Sequence, residues 1–349
     1  MFLLYSFLKS YYPYYVVLLS HEKSWQYNCH ESFVSEYYTM LSTIYIVIGA
    51  ALLIKGADLL VDGGVGIALK SGVSHLVVGL TVVAFGTSAP ELAASLAAAV
   101  KGSGDICFGN VVGSNVANIA LILGLTTVIR PVLVNRLLVK WELPFLIIVS
   151  AITWYIGTIR YIGRTVGIVF LILFGVYLVH CMKSPTVAVE VEDSKAQKKY
   201  SLLCSMVIIG IVGLGLGGTL FVKGAREIAL MFGVSEAIIG LTVVALGTSL
   251  PELITSVVAA IKGHSDISLG NIVGSNIFNI LFVIGVTAVI SPFTVSQDRY
   301  LFMIGIPFMM GLAVLILFFS ATGNRISRIE GALFTTIYIV YCVFAVVMA

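Results

Sequence analysis

The segment GVSHLVVGLTVVAFGTSAPELAASLAAAVKGSGDICFGNVVGSNVANIALILG (residues 72–124) returns as GVSEAIIGLTVVALGTSLPELITSVVAAIKGHSDISLGNIVGSNIFNILFVIG (residues 233–285). The two align without a gap at an offset of 161 and are identical at about 30 of 53 positions. Apolar composition alone does not produce that agreement, so the chain carries an internal duplication. A shorter echo upstream, IKGAD (54–58) against VKGAR (222–226), extends it.

Around this repeat, 59% of the 349 residues are apolar and only 11% are charged, with a mean hydropathy of +1.06. A water-soluble domain carries roughly 25% charged residues, so lipid must face most of this surface. Apolar stretches long enough to cross a bilayer, ~20 residues each, fall near 41–62, 74–101, 105–129, 137–159, 163–182, 201–231, 236–262, 266–290, 299–320 and 327–348. The expected fold is therefore an all-α polytopic membrane protein of ten transmembrane helices. A hydrophilic linker, 183–199, separates a first five-helix repeat (40–182) from a second (200–349). Five is an odd number, so the second repeat must start from the opposite side of the membrane. The result is an inverted-topology pair, a recurrent transporter architecture whose site lies at the midplane.

Positive charge orients the chain. With the 183–199 linker in the cytoplasm, Lys70, Arg130, Arg136, Lys140, Lys183, Lys195, Lys198, Lys199, Lys262, Arg325 and Arg328 are inside, while Lys101, Arg160, Arg164, Arg226 and Arg299 are outside. A multi-pass protein of the cell membrane, functional as a monomer, is expected. The net charge of +3 and the scatter of basic residues exclude a nucleic-acid partner. The five cysteines show no paired spacing, which argues against a zinc site or disulfide framework. Residues 1–39 are apolar and aromatic up to Ser20, interrupted by Pro13, and then polar without helical period. Met40, directly before the first well-formed span, reads as the functional start, and no function is placed upstream of it.

Two acids lie in the middle of strongly apolar spans, Glu91 in GTSAPEL and Glu252 in GTSLPEL. A carboxylate at bilayer depth is expensive and marks a functional site by default. No Lys or Arg occurs at matching depth in the repeats, and two carboxylates brought together repel unless a cation sits between them. Pro90 and Pro251 have no N–H, so the carbonyls of Gly86 and Gly247 lose their helical donors. The carbonyls of Ala84, Thr87, Ala245 and Thr248 are then expected to turn away from the helix, beside the hydroxyls of Thr87, Ser88, Thr248 and Ser249. In GNVVGSNVAN (109–118) and GNIVGSNIFN (270–279), Ser114 and Asn118, like Ser275 and Asn279, are four apart and share a helix face. All are hard oxygen donors, suited to Ca²⁺, Na⁺ or Mg²⁺. Asn110, Asn115, Asn271 and Asn276 read as interhelical hydrogen-bonding groups, and Gly113 and Gly274 as close-packing positions. Asp105 and Asp266 offset a helix dipole; Asp58, Asp62 and Glu142 are structural or interfacial; His75, His180 and His264 are scattered and suggest no proton relay.

At these motifs the chain resembles the cation/Ca²⁺ antiporter superfamily, and most of all the prokaryotic sodium/calcium exchangers. GTSAPE with GNVVGSNVAN looks like the first repeat motif of that family, and GTSLPE with GNIVGSNIFN like the second. The likeness covers about residues 40–349. It implies a secondary antiporter exchanging Ca²⁺ for Na⁺ by alternating access, with no cofactor and no enzymatic chemistry. Glu91 and Glu252 would be the central Ca²⁺ ligands, assisted by the Thr87 and Thr248 carbonyls. The Ala84 and Ala245 carbonyls with Ser88, Ser249, Ser114 and Ser275 would complete flanking Na⁺ sites, and Asn118 and Asn279 would face the middle position. It further implies that spans one and six slide against the other eight. Some members carry Asp where this chain has Asn279, so two formal charges are expected here instead of three, and H⁺/Ca²⁺ exchange stands as the alternative coupling. A passive cation channel could use the same ligands, although the single-chain inverted repeat favours a transporter. An intramembrane hydrolase is disfavoured, since GTSAP and GTSLP do not read GxSxG and no histidine shares the depth of Ser88 or Ser249.

Overall fold

The computed structural model describes residues 25–183, 198–233, 245–296 and 301–348. A chain this apolar must satisfy its backbone polar groups internally, and helices do so within one segment. In chain order they are α1 (Trp25–Ser71), α2 (His75–Thr87), α3 (Ala89–Val100), α4 (Gly104–Ile129), α5 (Leu138–Thr158), α6 (Arg164–Lys183), α7 (Tyr200–Met231), α8 (Ala245–Thr248), α9 (Leu250–Ile261), α10 (Ser265–Ile290), α11 (Leu301–Gly323) and α12 (Arg328–Met348). Seven (α1, α4, α5, α6, α7, α10 and α11) are long and apolar enough to cross a bilayer, or eight if the bent pair α2–α3 is one span. The second expected span, 74–101, is thus two helices, and the seventh is described only from Ala245, since 234–244 lie outside the described residues. Most of the 183–199 linker and residues 1–24 lie outside them too.

Two features depart from the sequence reading. Helix α1 runs unbroken from Trp25 to Ser71, beyond the expected 41–62 at both ends, although its part apolar enough to cross a bilayer starts at Thr39, next to Met40. The apolar span acts as a nucleus, each further residue propagates the helix cheaply, and no Pro or Gly occurs between Trp25 and Ile48 to stop it. Four two-residue strands also appear: β1 (Val132–Leu133), β2 (Tyr161–Ile162), β3 (Phe293–Thr294) and β4 (Arg325–Ile326). They pair antiparallel as β1 with β4 and β2 with β3. The loop strands β1 and β3 are equivalent under the 161-residue offset, so the two pairs are counterparts of each other.

Helices α4 and α10 form the centre and are the most buried spans, at 72% and 83% of their apolar windows. α12 packs on the C-terminal half of α4 just as α6 packs on that of α10, and α5 lies against α11. Their side chains build one large core around Phe108, Ile122, Leu146, Phe170, Ile277 and Phe334. Within these helices π-helical turns occur at Ala117–Leu123 and Asn279–Val283, an uncommon geometry that concentrates at functional sites.

Helices α1 and α7 stand apart, with a separate core built on Leu53, Leu60, Val61, Val207 and Leu214. Small residues let their backbones touch, as apolar helices in lipid require. A Cβ placed on Gly49 would meet the Phe221 backbone N at 2.6 Å and the Gly217 carbonyl at 2.8 Å; one on Gly217 would meet the Gly49 carbonyl and the Leu53 N, each at 2.8 Å. Gly56 against Gly210 and Leu214 is matched by Gly224 against Ser42 and Ile46. These paired contacts share an offset of 168, which makes residue 58 the structural counterpart of residue 226.

Adding a methyl group to this seam should therefore force the two helices apart. Gly49→Ala and Gly217→Ala are each expected to destabilise the protein by about 1–3 kcal/mol, seen as a lowered Tm in detergent. Gly175→Ala, where a Cβ meets nothing within 4 Å, should leave Tm unchanged.

Candidate cation site

The helix breaks create the site. Ser88 (φ −85°, ψ 8°) and Ser249 (φ −89°, ψ 4°) interrupt the helical path, and α2 and α3 meet at a bend of 46°. Pro90 and Pro251 sit in the first turn of α3 and α9, where a missing N–H does no harm. Glu91 and Glu252 follow in that same first turn, near the positive end of a helix dipole. Both are buried, at 1% and 0% exposure.

One expected release does not occur: the Ala84 carbonyl accepts from Ser88 N at 3.0 Å, with Thr87 Oγ1 3.3 Å away. The break falls one turn later. Leu92 N donates to the Ser88 carbonyl at 3.2 Å, and among the described residues no backbone N–H donates to the Thr87 carbonyl. Ala245 begins α8, and its side chain lies outside the described residues.

The two breaks meet across the molecule and exchange hydrogen bonds. Ser88 Oγ donates to Glu252 Oε1 at 2.9 Å, and Ser249 Oγ lies 3.4 Å from Glu91 Oε1. Thr87 Oγ1 donates to Asn271 Oδ1 at 3.0 Å and lies 3.4 Å from Ser275 Oγ. Each carboxylate is thus held by the hydroxyl of the other repeat. Behind each, an asparagine braces the backbone: Asn110 Nδ2 donates to the Glu91 carbonyl at 3.3 Å and to Ser95 Oγ at 2.9 Å, and Asn271 Nδ2 does the same to Glu252 and Ser256 at the same distances. Ser95 and Ser256 escaped the sequence reading, although their place four residues after each glutamate put them on its helix face.

The remaining oxygens are what give the site its chemistry. Glu91 Oε2 and Glu252 Oε2 are buried with no hydrogen-bond partner, as are both amide atoms of Asn118 and the Oδ1 of Asn279 and of Asn276. Asn279 Nδ2 donates to Asn115 Oδ1 at 3.2 Å, and Asn115 Nδ2 to the Asn276 carbonyl at 3.2 Å. Thr87, Ser88, Ser249, Ser114 and Ser275 are buried, and Thr248 is half-buried. Among the described residues, no Lys or Arg forms an ion pair with either glutamate. Buried carboxylate oxygens without partners are costly, and a cation is the partner this donor set fits.

Other polar residues lie elsewhere. Asp105 Oδ1 accepts from Ser296 N at 2.6 Å at the start of α4. Lys262 joins Asp58 and Asp62, and Glu142 is buried at the start of α5. His75 and His264 stack edge to face with centroids 5.5 Å apart. Gly274 would place a Cβ 2.7 Å from the Leu80 backbone, the close approach expected of it; the equivalent neighbour of Gly113, Leu241, lies outside the described residues. A cleft of about 790 Å³ leads from the surface beside Lys223 and Arg226 down to Gly86, Pro90, Thr248 and Pro251.

Comparison with known proteins agrees with this geometry. Residues 41–183 and 202–347 match the family described as sodium/calcium exchanger protein. The protein CaxA of Alkalimonas amylolytica is 36% identical over 86% of this chain and 98% of its own. The sodium/calcium exchanger MaX1 of Methanosarcina acetivorans is 30% identical over 79% of this chain and 90% of its own. A solved structure of the sodium-calcium exchanger NCX_Mj, soaked with 10 mM Na⁺ and no Ca²⁺, superposes with a TM-score of 0.76 at 34% identity, over 86% of this chain and 98% of that one. The duplicated motifs, the polytopic helical fold and these matches together establish that the chain belongs to the sodium/calcium exchanger protein family, a family of membrane antiporters.

Proposed function

We propose that this protein exchanges Ca²⁺ for Na⁺ across the cell membrane by alternating access. The observation that carries the reading is the pair of buried glutamates, each bonded through one oxygen to the hydroxyl of the other repeat and each left with an unpartnered second oxygen. One Ca²⁺ between Glu91 and Glu252 would neutralise both and also take the Thr87 and Thr248 carbonyls. Na⁺ ions would neutralise the same two charges with Ser88, Ser249, Ser114, Ser275 and the carbonyls of Ala84 and Ala245, so that occupancy by the two ions is mutually exclusive. Asn118 and Asn279 would supply neutral oxygens at the middle. Two related proteins named as sodium/calcium exchangers favour Na⁺ as the coupling ion.

The same reading takes the chain as ten spans in two inverted repeats, acting as a monomer with its 183–199 linker in the cytoplasm. The contacts between helix ends support it, because each joins loops assigned to one side of the membrane. β1 pairs with β4, both on the linker side, and β2 with β3, both on the other. Lys70 Nζ donates to the Lys198 carbonyl at 2.7 Å, and Arg130 to the Ile261 carbonyl, on the linker side. Ser291 Oγ donates to the Ala99 carbonyl at 3.2 Å on the opposite side.

The direct test is ⁴⁵Ca²⁺ uptake into proteoliposomes under an outward Na⁺ gradient, repeated with a pH gradient alone. Uptake is expected with Na⁺ and not with pH. Uptake driven by the pH gradient instead would assign H⁺/Ca²⁺ exchange, in which two protons neutralise the two carboxylates; that coupling would suit a site whose third acid is replaced by Asn279.

Glu91→Gln and Glu252→Gln should each lower Na⁺-driven Ca²⁺ flux at least about a hundredfold, the scale of removing one partner from a buried charge cluster, at unchanged membrane abundance. Wild-type flux in either variant would refute the central role of that acid. Ser194→Cys in the linker should resist an impermeant maleimide applied to intact cells; rapid labelling there would reverse the orientation.

A further inference from the structure

The two repeats agree at the cation site but differ in charge where α1 and α7 meet the helices that carry the glutamates. Lys262, which ends α9, forms an ion pair with Asp58 of α1 and donates to Asp62 Oδ1 at 2.9 Å, and all three side chains are partly buried. The counterparts of Asp58 and Asp62 under the 168-residue offset are Arg226 and Leu230 on α7, and the counterpart of Lys262 under the 161-residue offset is Lys101, which ends α3. One repeat therefore carries two acids opposite a lysine. The other carries an arginine, followed by Glu227, and a lysine at the equivalent positions, and this arginine and lysine are like charges.

The packing follows the charge. α9 lies along α1, with Ile254 set against the α1–α7 core. α3, the counterpart of α9, is separated from α7 by the 790 Å³ cleft, and Ala93, the counterpart of Ile254, lines that cleft and is exposed. The seam is closed at the Asp58–Asp62–Lys262 cluster and open between the helices that carry Arg226 and Lys101. In an inverted repeat, the second access state has α3 closed on α7 and α9 parted from α1. That state breaks the Asp58–Asp62–Lys262 cluster and brings Arg226 toward Lys101.

We infer that the Asp58–Asp62–Lys262 cluster is a clasp that biases this protein toward the access state opened at the α3–α7 cleft, and that Arg226 and Lys101 disfavour the opposite state. This rests on the alternating-access reading above. A ligand or mutation moves such an equilibrium only through a difference in interaction between the two states, and here the chain supplies that difference itself. With the linker in the cytoplasm, the clasp lies on the cytoplasmic side and the favoured state opens outward.

The test uses the full chain in lipid nanodiscs, with the five native cysteines replaced and Ile254→Cys as a reporter of the minor state. The maleimide labelling rate of that cysteine measures how often α9 parts from α1. Lys262→Gln should raise the rate about fivefold, the worth of a partly exposed ion pair. Exchanging the charges with Asp58→Lys and Lys262→Asp should bring it back toward the parent rate. Arg226→Asp, at the far end of the molecule, creates an attraction to Lys101 and should also raise the rate, which local loosening around Lys262 cannot explain. Unchanged labelling in Lys262→Gln, or an Arg226→Asp variant labelled at the parent rate, overturns the clasp. Labelling needs no transported ion, so loss of the exchange reading would show separately, as absence of Na⁺-driven ⁴⁵Ca²⁺ flux in a protein whose labelling still responds to Lys262.

Discussion

Glu91 and Glu252 are two carboxylates placed in the interior of a lipid-soluble protein, with no basic side chain paired to either among the described residues. The first-turn helix dipole and a serine hydroxyl are partners of each carboxylate among the described residues, and the surrounding groups serve to hold the oxygens where a cation can. Each acid keeps one oxygen on a serine from the opposite repeat and one oxygen bare. Because the tether crosses between repeats, the two halves must come together for either carboxylate to be oriented. The duplication is in this sense a requirement of the site as well as a feature of ancestry.

Orienting a carboxylate inside a helix bundle also demands that the helix stop. A continuous helix would spend the carbonyls of Thr87 and Thr248 on its own ladder. Proline two residues after each break removes the N–H that would continue the ladder and is tolerated there because it falls in the first turn of the next helix. The broken backbone is then anchored from outside by Asn110 and Asn271, whose amides bridge the glutamate carbonyl to the serine one turn on. A side chain from the neighbouring span thus pins the first turn after each break, so the break is held without using the Thr87 carbonyl. The π-helical turns that contain Asn118 and Asn279 admit an extra residue into the facing helices beside the two breaks.

Much of this was legible in the sequence, and the reasons are local. The repeat, the mid-span acids, the prolines and the serine–asparagine spacing are all short-range patterns whose geometry follows from helix periodicity. What escaped needed either propagation or tertiary context. The start of α1 at Trp25 reflects a helix extending outward from an apolar nucleus into residues with little preference of their own. The engaged Ala84 carbonyl shows that Ser88 N still closes the last turn of α2, so the break begins only beyond it. The two-residue strands form only because loops distant in sequence arrive side by side. Ser95 and Ser256 looked like ordinary small residues until the asparagines facing them were in place.

Near-identity at the site and divergence at its periphery divide the labour between the repeats. On the exchange reading proposed above, the groups that touch the ion would serve both access states with the same oxygens, and there the two halves agree residue for residue from GTS through PEL apart from Ala89 and Leu250. On that reading the surfaces that close over the ion would be used one at a time, and those are free to differ. Asp58 against Arg226 lies within the segment that otherwise repeats as KGA, on the helices that pack apart from the main core. A strictly symmetric chain would populate its two access states equally in the absence of ions. Unequal charge on the two seams would remove that degeneracy without touching the candidate ligands, and would so separate how the protein holds its ion from the side on which it waits for one.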